Sequence, residues 1–574
     1  VSPFASPSSA ADGTTLALGE FHRFESNGLP FVYLVPSGAV FALDTAADAV
    51  LGFLADGPRS REALAQALTP QLPAVTVEET LGELVQLRAV VARTAKDLSR
   101  ADPGQAPGES PLSPGAARPV NGPANATTAA HAAAAAKASA AAALSAEPGL
   151  MPVTTRPASG DARSGKVIPL IPLQTLVLNV TNKCNLACAY CYEYGEDRIP
   201  GSTAHGTATP AVPAKTAPKF MTRETARESV ELALRESGTS PVVNITFFGG
   251  ETLLNFAVLQ DTITYARHRA SQVGKRVEFS LTTNGTLLRP DIIEFLADQQ
   301  IGVTISIDGP KELQNKFRVF HDGGGSYDIV VPKIKELLKR HTSRPIGARV
   351  TLTAQVNDVQ RIYRHLTEEI GFHEVGFAPV TSSLGRAWAM SEQGLDHMLK
   401  QFETLAHEWM EAALVNRHHG FSNIKETIEE IHQGQSKAYP CGAGFGLMGV
   451  ATDGEVSLCH RFAGSDAHRL GSVTDGIDRD AQMAFLESHH VGHKVDCSTC
   501  WARPLCAGGC YHEAHTRYGD TAAPNLHFCD WIRGWTDLGL RIYGELASRH
   551  PAFLSRFDRQ GQDSQVSHET PHVN

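Results

Sequence analysis

The sequence predicts an α/β fold built on a parallel sheet, and three observations carry that reading. Between Ile168 and Val380, strand-like runs of branched and aromatic residues alternate with helical patterns six times over, the pattern of a sheet with crossover helices. The first run, Leu176–Val180, leads into three closely spaced cysteines, and the last is followed by seven more between 441 and 529. Ahead of all this lie a small strand-then-helix segment and a long stretch of Ala, Pro, Gly and Ser.

In chain order, residues 1–17 are small and polar and are expected to be disordered. From 18 to 98 the chain offers three short strands, around Phe21–Phe24, Pro30–Val35 and Ala39–Leu43, with turns at Asn27-Gly28 and Ser37-Gly38. Helical patterns follow at Thr45–Ala55, Ser60–Leu68 and Val77–Ala89. This arrangement resembles the winged-helix domains fused to peptide-modifying enzymes, which implies a leader peptide added as a strand to the sheet edge; a DNA-binding or purely structural module is the alternative. Residues 99–166 cannot bury enough apolar surface to offset ordering entropy and read as a linker. The sheet region spans 167–390, with strands expected at Leu176–Val180, Val242–Phe248, Val277–Thr283, Val303–Ile307, Ala348–Thr353 and Glu374–Ala378. A Pro/Thr/Ala-rich insertion, Gly201–Ala217, interrupts it as a surface loop. Bridging helices and the second cysteine group occupy 391–545, and 546–574 reads as a tail. The amphipathic stretch Trp531–Arg549 is expected to pack on the cysteine-rich region.

At 574 residues the chain has room for several domains, and a net charge of −10 gives no basic footprint for nucleic acid. No apolar stretch approaches the roughly 20 residues that span a bilayer, and no signal peptide is visible, so the expectation is a cytoplasmic protein with no membrane partner. In that setting ten cysteines suggest metal binding rather than disulfides.

Cys184, Cys188 and Cys191 are spaced C-x3-C-x2-C. Three thiolates on one loop can hold three corners of an iron–sulfur cube and leave the fourth iron without a protein ligand; a disulfide or a zinc knuckle is the plainer alternative. With its surroundings, Asn182-Lys-Cys184-Asn-Leu-Ala-Cys188 and Tyr190, the loop resembles the radical S-adenosylmethionine (SAM) superfamily. The resemblance implies a partial (β/α)6 barrel, a [4Fe-4S] cluster on these three cysteines, and SAM chelated by the open iron. It further implies that Gly249-Gly250-Glu251, at the end of the second strand, holds the methionyl amino group, although Thr252 stands where the family has proline. Asn284 and Ser306, at the ends of the third and fourth strands, would lie near the ribose or carboxylate of SAM. Arg349 would reach the carboxylate, unless it is an ordinary surface ion pair, and Asp308 would face SAM or substrate in a catalytic role. Tyr190 joins the cofactor-binding set by the same resemblance. The stretch from Asp308 to Asp328, with Arg318, resembles a loop of the peptide-modifying branch.

The later cysteines read Cys441-x12-Gly454-x4-Cys459, then Cys497-x2-Cys500-x5-Cys506-x3-Cys510, then Cys529. The order resembles the SPASM extension of radical SAM peptide maturases, which implies two auxiliary [4Fe-4S] clusters and three in all. Carried over position by position, Cys497, Cys500, Cys506 and Cys529 would close one, while Cys441, Cys459 and Cys510 would hold the other with one ligand missing. The gap could be filled by another side chain, water or a substrate thiol. His460 stands where sulfatase-activating relatives carry an aspartate, a solvated histidine being the simpler reading, and His512, Glu513 and His515 read as supporting or surface residues. Tyr190-Cys191-Tyr192-Glu193-Tyr194-Gly195-Glu196-Asp197, Cys506-Ala-Gly-Gly-Cys510-Tyr-His-Glu-Ala and Cys529-Asp-Trp-Ile-Arg together resemble the quinohemoprotein amine dehydrogenase maturases. That resemblance implies thioether links between cysteine sulfur and Asp or Glu side-chain carbons of a substrate peptide, the dehydrogenase small subunit, with flavodoxin or ferredoxin as reductant. A sactipeptide-type or carbon–carbon cross-linking maturase, or a non-catalytic iron–sulfur carrier or scaffold, are the alternatives.

Overall fold

The computed structural model describes residues 15–93, 171–192, 218–383 and 385–558. The linker at 99–166, the insertion Gly201–Ala217, the motif residues 193–197 and the tail from Arg559 lie outside the described residues. What is described divides into two units, one drawn from 1–148, 427–436 and 536–574, the other from 149–426 and 437–535.

In the first unit, β1 (Thr15–Leu18) is followed by β2 (Phe21–Ser26), β3 (Leu29–Leu34) and β4 (Val40–Ala42), then α1 (Thr45–Ala55), α2 (Arg61–Leu68), α3 (Ala74–Gln86) and β5 (Val90–Arg93). The expected three strands form an antiparallel sheet in the order β2-β3-β4. Asn27 and Gly28 take positive φ (51° and 70°) in the two-residue turn that sets Ser26 opposite Leu29. Asp44 and Ser60 accept from Ala47 N (2.7 Å) and Ala63 N (3.1 Å), starting α1 and α2 where their sequence signals lie. Residues 15–17, expected to be disordered, instead belong to β1, because Thr15 pairs with Arg93 at the far end of the unit. The core gathers Leu16, Val32, Leu34, Val50, Leu54, Leu64, Leu81 and Val90. The helix Cys529–Arg549 was expected on the cysteine-rich region alone. Its first turns do pack there, Arg533 hydrogen-bonding Cys500, while Trp531 and Trp535 lie edge-on to Phe402 of the bridging helix Glu392–Leu414. Its later turns pack in the first unit, where His22 Nε2 meets Asp537 Oδ1 at 2.7 Å and Ser26 Oγ donates to Arg541 O at 2.7 Å. The helix carries on to Arg549 and is followed by helical turns at Pro551–Leu554 and Ser555–Phe557, so the tail does not begin at 546.

The second unit is built on β6 (Thr175–Thr181), β7 (Val242–Gly249), β8 (Arg276–Thr283), β9 (Gly302–Ser306), β10 (Gly347–Leu352) and β11 (Glu374–Pro379). All six pair in parallel, each with its neighbour in sequence. Helices such as Arg223–Glu236 form the crossovers, this one capped by Thr222 and burying Ala226, Val230 and Ala233. The sheet does not close. Beyond β6 it continues through β12 (Leu447–Val450), parallel to β6, and then the antiparallel β13 (Glu455–Ser457), β14 (Arg469–Ser472) and β15 (Gly476–Ile477). These four strands are too short to show a period, and the sequence gives no sign of them. The fold is thus an α/β sheet, mixed but mostly parallel, whose strand ends at Thr181, Gly249, Thr283 and Ser306 share one edge, the edge where parallel barrels carry their chemistry. Among the described residues no helix is long and apolar enough to cross a membrane.

Candidate active site at the cysteine loop

The loop after β6 is held from both sides by backbone. Gly250 N donates to Thr181 O (2.9 Å) and Glu251 N to Lys183 O (2.8 Å), stitching the end of β7 to the loop. A Cβ on Gly249 would stand 2.4 Å from Thr181 O, and one on Gly250 2.2 Å from Lys183 O. The two glycines were expected to make room for a ligand; in the structure they make room for the cysteine loop itself. On the other side Ala187 N donates to Val319 O (2.8 Å), and Leu186 bridges Phe320.

Glu251, expected to receive an ammonium group, is 1% exposed. Its Oε1 accepts from Thr283 Oγ1 (2.6 Å) and Leu253 N (3.1 Å), and its Oε2 from Asn284 N (2.8 Å). It clamps the end of β8 with three neutral donors, and burial raises its pKa above the usual carboxylate value despite them. Asn284 completes the clamp: its Nδ2 lies 3.0 Å from Asn185 Oδ1 and 3.7 Å from Cys184 Sγ, while its Oδ1 accepts from Thr286 Oγ1 (2.6 Å). Asn185, quoted within the loop motif, was given no role, and Thr286, which carries no motif signal, was missed. Ser306 ends β9 opposite Arg349 of β10. Arg349 makes no ion pair among the described residues. Burial by surrounding protein lowers its pKa, Glu426 opposing and Arg461 adding to the effect.

Asp308, expected to face SAM or substrate, is fully enclosed at 0% exposure. Its Oδ2 accepts from Tyr190 OH (2.5 Å) and pairs with Arg318 Nε (3.0 Å), and its Oδ1 accepts from Thr351 N (3.1 Å). With every oxygen engaged inside the protein, it anchors Tyr190, and so the loop between Cys188 and Cys191, rather than meeting a substrate.

No disulfide joins any of the ten cysteines. Their electrostatic neighbours sort them into three sets. Burial first, and then Glu251 and Cys191, push the Cys184 thiol up to about 11; burial, with Cys191, Asp308 and Cys184 adding, pushes Cys188 up to about 12 against the pull of Arg318. Cys441 and Cys459 feel Cys510, and Cys459 also feels Cys441. Cys497, Cys506 and Cys529 share Cys500 as a neighbour, and Cys497 feels Cys506 and Cys529 as well. These mutual influences run within groups of three, three and four. Among the described residues no three His, Cys, Asp or Glu side chains gather tightly enough for a single ion. All-sulfur sets of this kind fit iron–sulfur cubes, whose corners lie farther apart than ligands on one metal at about 2.3 Å each.

Around the second set the structure corrects the reading of His460 and gives His512 the supporting place rather than the surface one. His460 is packed 4.5 Å from the Phe248 ring and its pKa is lowered to about 3 by burial and by Arg461, so it is not a solvated side chain. His512 is 1% exposed, with neither ring nitrogen hydrogen-bonded, and lies edge-on to Tyr192 at 5.5 Å. Arg461, which sequence reasoning passed over, sits 4.4 Å above the Tyr192 ring and donates to Thr381 Oγ1 (2.9 Å). Tyr192 thus joins the first cysteine loop to the segment after Cys459.

The sequence pattern of the Radical SAM superfamily matches residues 178–366. The serine-type anaerobic sulfatase-maturating enzyme of Bacteroides thetaiotaomicron is 28% identical over 387 residues, covering 62% of this chain and 86% of the relative. The solved structure described as native anSMEcpe with bound AdoMet superposes with a TM-score of 0.53 at 20% identity, over 68% of this chain and all of the other. The same protein solved with AdoMet and the Cp18Cys peptide gives a TM-score of 0.52 at 20% identity, over 67% of this chain and 99% of the other. The three-thiol loop lies inside the segment that matches the radical SAM enzymes. Similarity to the serine-type anaerobic sulfatase-maturating enzyme runs through most of that relative's length.

Proposed function

We propose that this enzyme modifies peptides, forming thioether links between a cysteine sulfur and an Asp or Glu side-chain carbon, with the small subunit of quinohemoprotein amine dehydrogenase as substrate. The observation that carries this reading is the sorting of all ten thiols into sets of three, three and four. The Cys441, Cys459 and Cys510 set is one thiolate short of a closed cluster, and a substrate thiol is the ligand chemistry that suits the gap. A relative crystallised with a peptide supports a peptide substrate. When bound, the cluster on Cys184, Cys188 and Cys191 supplies the electron that splits SAM into methionine and a hydrogen-abstracting 5′-deoxyadenosyl radical. The chain's own residues prepare that site: Glu251 and Asn284 fix the loop from β8, and Asp308 fixes it through Tyr190. Arg349 and Arg461, near enough for the second to influence the first, are the guanidinium groups that would bind a carboxylate of SAM or of the substrate's Asp or Glu. The first unit, with its three-stranded sheet edge, would hold the leader of the peptide as an added strand. Flavodoxin or ferredoxin would supply electrons.

Anaerobic reconstitution with SAM, dithionite and the candidate peptide tests the reading. The wild-type protein should release 5′-deoxyadenosine and a peptide two mass units lighter per link, with its cysteines blocked to alkylation. Cys188→Ala should release none, whereas Cys459→Ala should still release 5′-deoxyadenosine and leave the peptide unlinked. A lighter peptide whose cysteines remain free to alkylation would falsify the thioether.

A further inference from the structure

Arg318 is 7% exposed, and among the described residues the only carboxylate paired with it is the fully buried Asp308, 3.0 Å away. A charged pair in such a place is costly to desolvate, and apolar residues of the same volume would stabilise the fold as well or better. Its location is therefore informative. The residues that follow Arg318 line the cysteine loop: Val319 O accepts from Ala187 N, Phe320 bridges Leu186, and the ring Nε2 of His321 lies 3.1 Å from Cys184 O. The guanidinium carbon sits 5.7 Å from the centre of the Tyr190 ring, inside the Cys188 to Cys191 turn. The pair is held rigidly. Gln314 accepts from Asp308 N (2.8 Å) and donates to Ser326 Oγ (3.0 Å), which in turn donates to Arg318 O (2.6 Å). The cation thus lies against the turn that carries Cys188 and Cys191, one residue from the Ala187 N to Val319 O bond. The other fixed group in range is Glu251, beside Cys184.

We propose that the buried Arg318–Asp308 pair sets the reduction potential of the cluster that Cys184, Cys188 and Cys191 hold, the guanidinium favouring the reduced state and the carboxylate opposing it. The reason is electrostatic. Reduction adds one negative charge to the cluster, and in a poorly solvated loop a fixed cation beside a ligating sulfur stabilises that charge far more than it would in water. Asp308 carries the opposite charge and touches the same loop through Tyr190, so its effect has the opposite sign. The inference rests on the reading that these three thiols carry the SAM-binding cluster.

The test is an EPR-monitored redox titration of the reconstituted full-length chain. Arg318→Gln should move the midpoint of the SAM-responsive signal to more negative potential, and Asp308→Asn to more positive potential. The double variant should fall between them, and Arg318→Lys should stay near wild type. A merely structural pair predicts shifts of the same sign in both single variants, or none, and either result overturns the proposal. If Arg318→Gln does not take up iron, Arg318→Lys and Asp308→Asn carry the same test of sign, and an unmoved midpoint in Asp308→Asn overturns it. Wild-type protein without any SAM-responsive signal would instead sink the cluster reading, which separates the two failures.

Discussion

Two buried carboxylates, Glu251 at the end of β7 and Asp308 just past the end of β9, both serve the first cysteine loop, yet they are solved in opposite ways. Glu251 is met only by neutral donors, and burial raises its pKa. Asp308 is met by a guanidinium and a phenol. The first is a hydrogen-bonded clamp that needs acceptor atoms more than charge. The second is half of an ion pair whose other half has nowhere else to go. Burial alone therefore does not tell what a carboxylate is for; its partners do.

The difference sets an order of expected effects. Asp308→Ala should be the most damaging change, costing about 3–5 kcal/mol, because it leaves the Arg318 charge buried without a partner; thermal unfolding of the apo-protein measures it, and a cost as small as that of Glu251→Gln would erase the contrast. Gly250→Ala asks whether backbone matters as much as side chains: a methyl 2.2 Å from Lys183 O must push the loop away, at about 1–3 kcal/mol and with reduced iron loading. Glu251→Gln should cost about 1 kcal/mol, since the amide keeps one acceptor oxygen. Its pH signature is sharper. With a raised folded pKa the native state holds its proton better than the unfolded chain, so stability falls as pH rises from 4.5 through the raised value and is level above it; Glu251→Gln should remove that slope. The smallest effect belongs to His468, away from both carboxylates, whose pKa burial lowers to about 4. There the unfolded state gains the proton first, so stability is complete above pH 6.5 and lost as pH falls toward 4. His468→Leu should make the melting temperature less dependent on pH across that window.

Much of the site was legible because its residues sit at strand ends, where a short motif beside a β-rich run fixes position. Cys184, Gly250, Glu251 and Asn284 meet around one loop for that reason. What the sequence withheld is direction and long-range partnership. Nothing in Ser306-Ile-Asp308-Gly shows that Asp308 turns inward, since its partners Tyr190 and Arg318 lie in other segments. The glycines signalled a close approach but not to what. β12 to β15 have two to four residues each, too few for alternation to appear. The later turns of the helix from Cys529 show an apolar face that any neighbour could cover, and only the structure reveals that β2 and β3 do. The sequence leaves His512 open between a supporting and a surface place, and packing against Tyr192 and Phe462 decides for the first.

The pairing of β6 with β12 also orders events in time. β6 carries the first cysteine loop, and its inner neighbour β7 follows soon after it in the chain, but its outer neighbour is Leu447–Val450. During synthesis the ribosome delivers β7 through β11 while that outer side of β6 is still an unpaired edge, open to other chains. The strand that closes the edge arrives between Cys441 and Cys459, so the sheet beneath the first cysteine loop can be completed before Cys510, the last thiol of the second set, has been made.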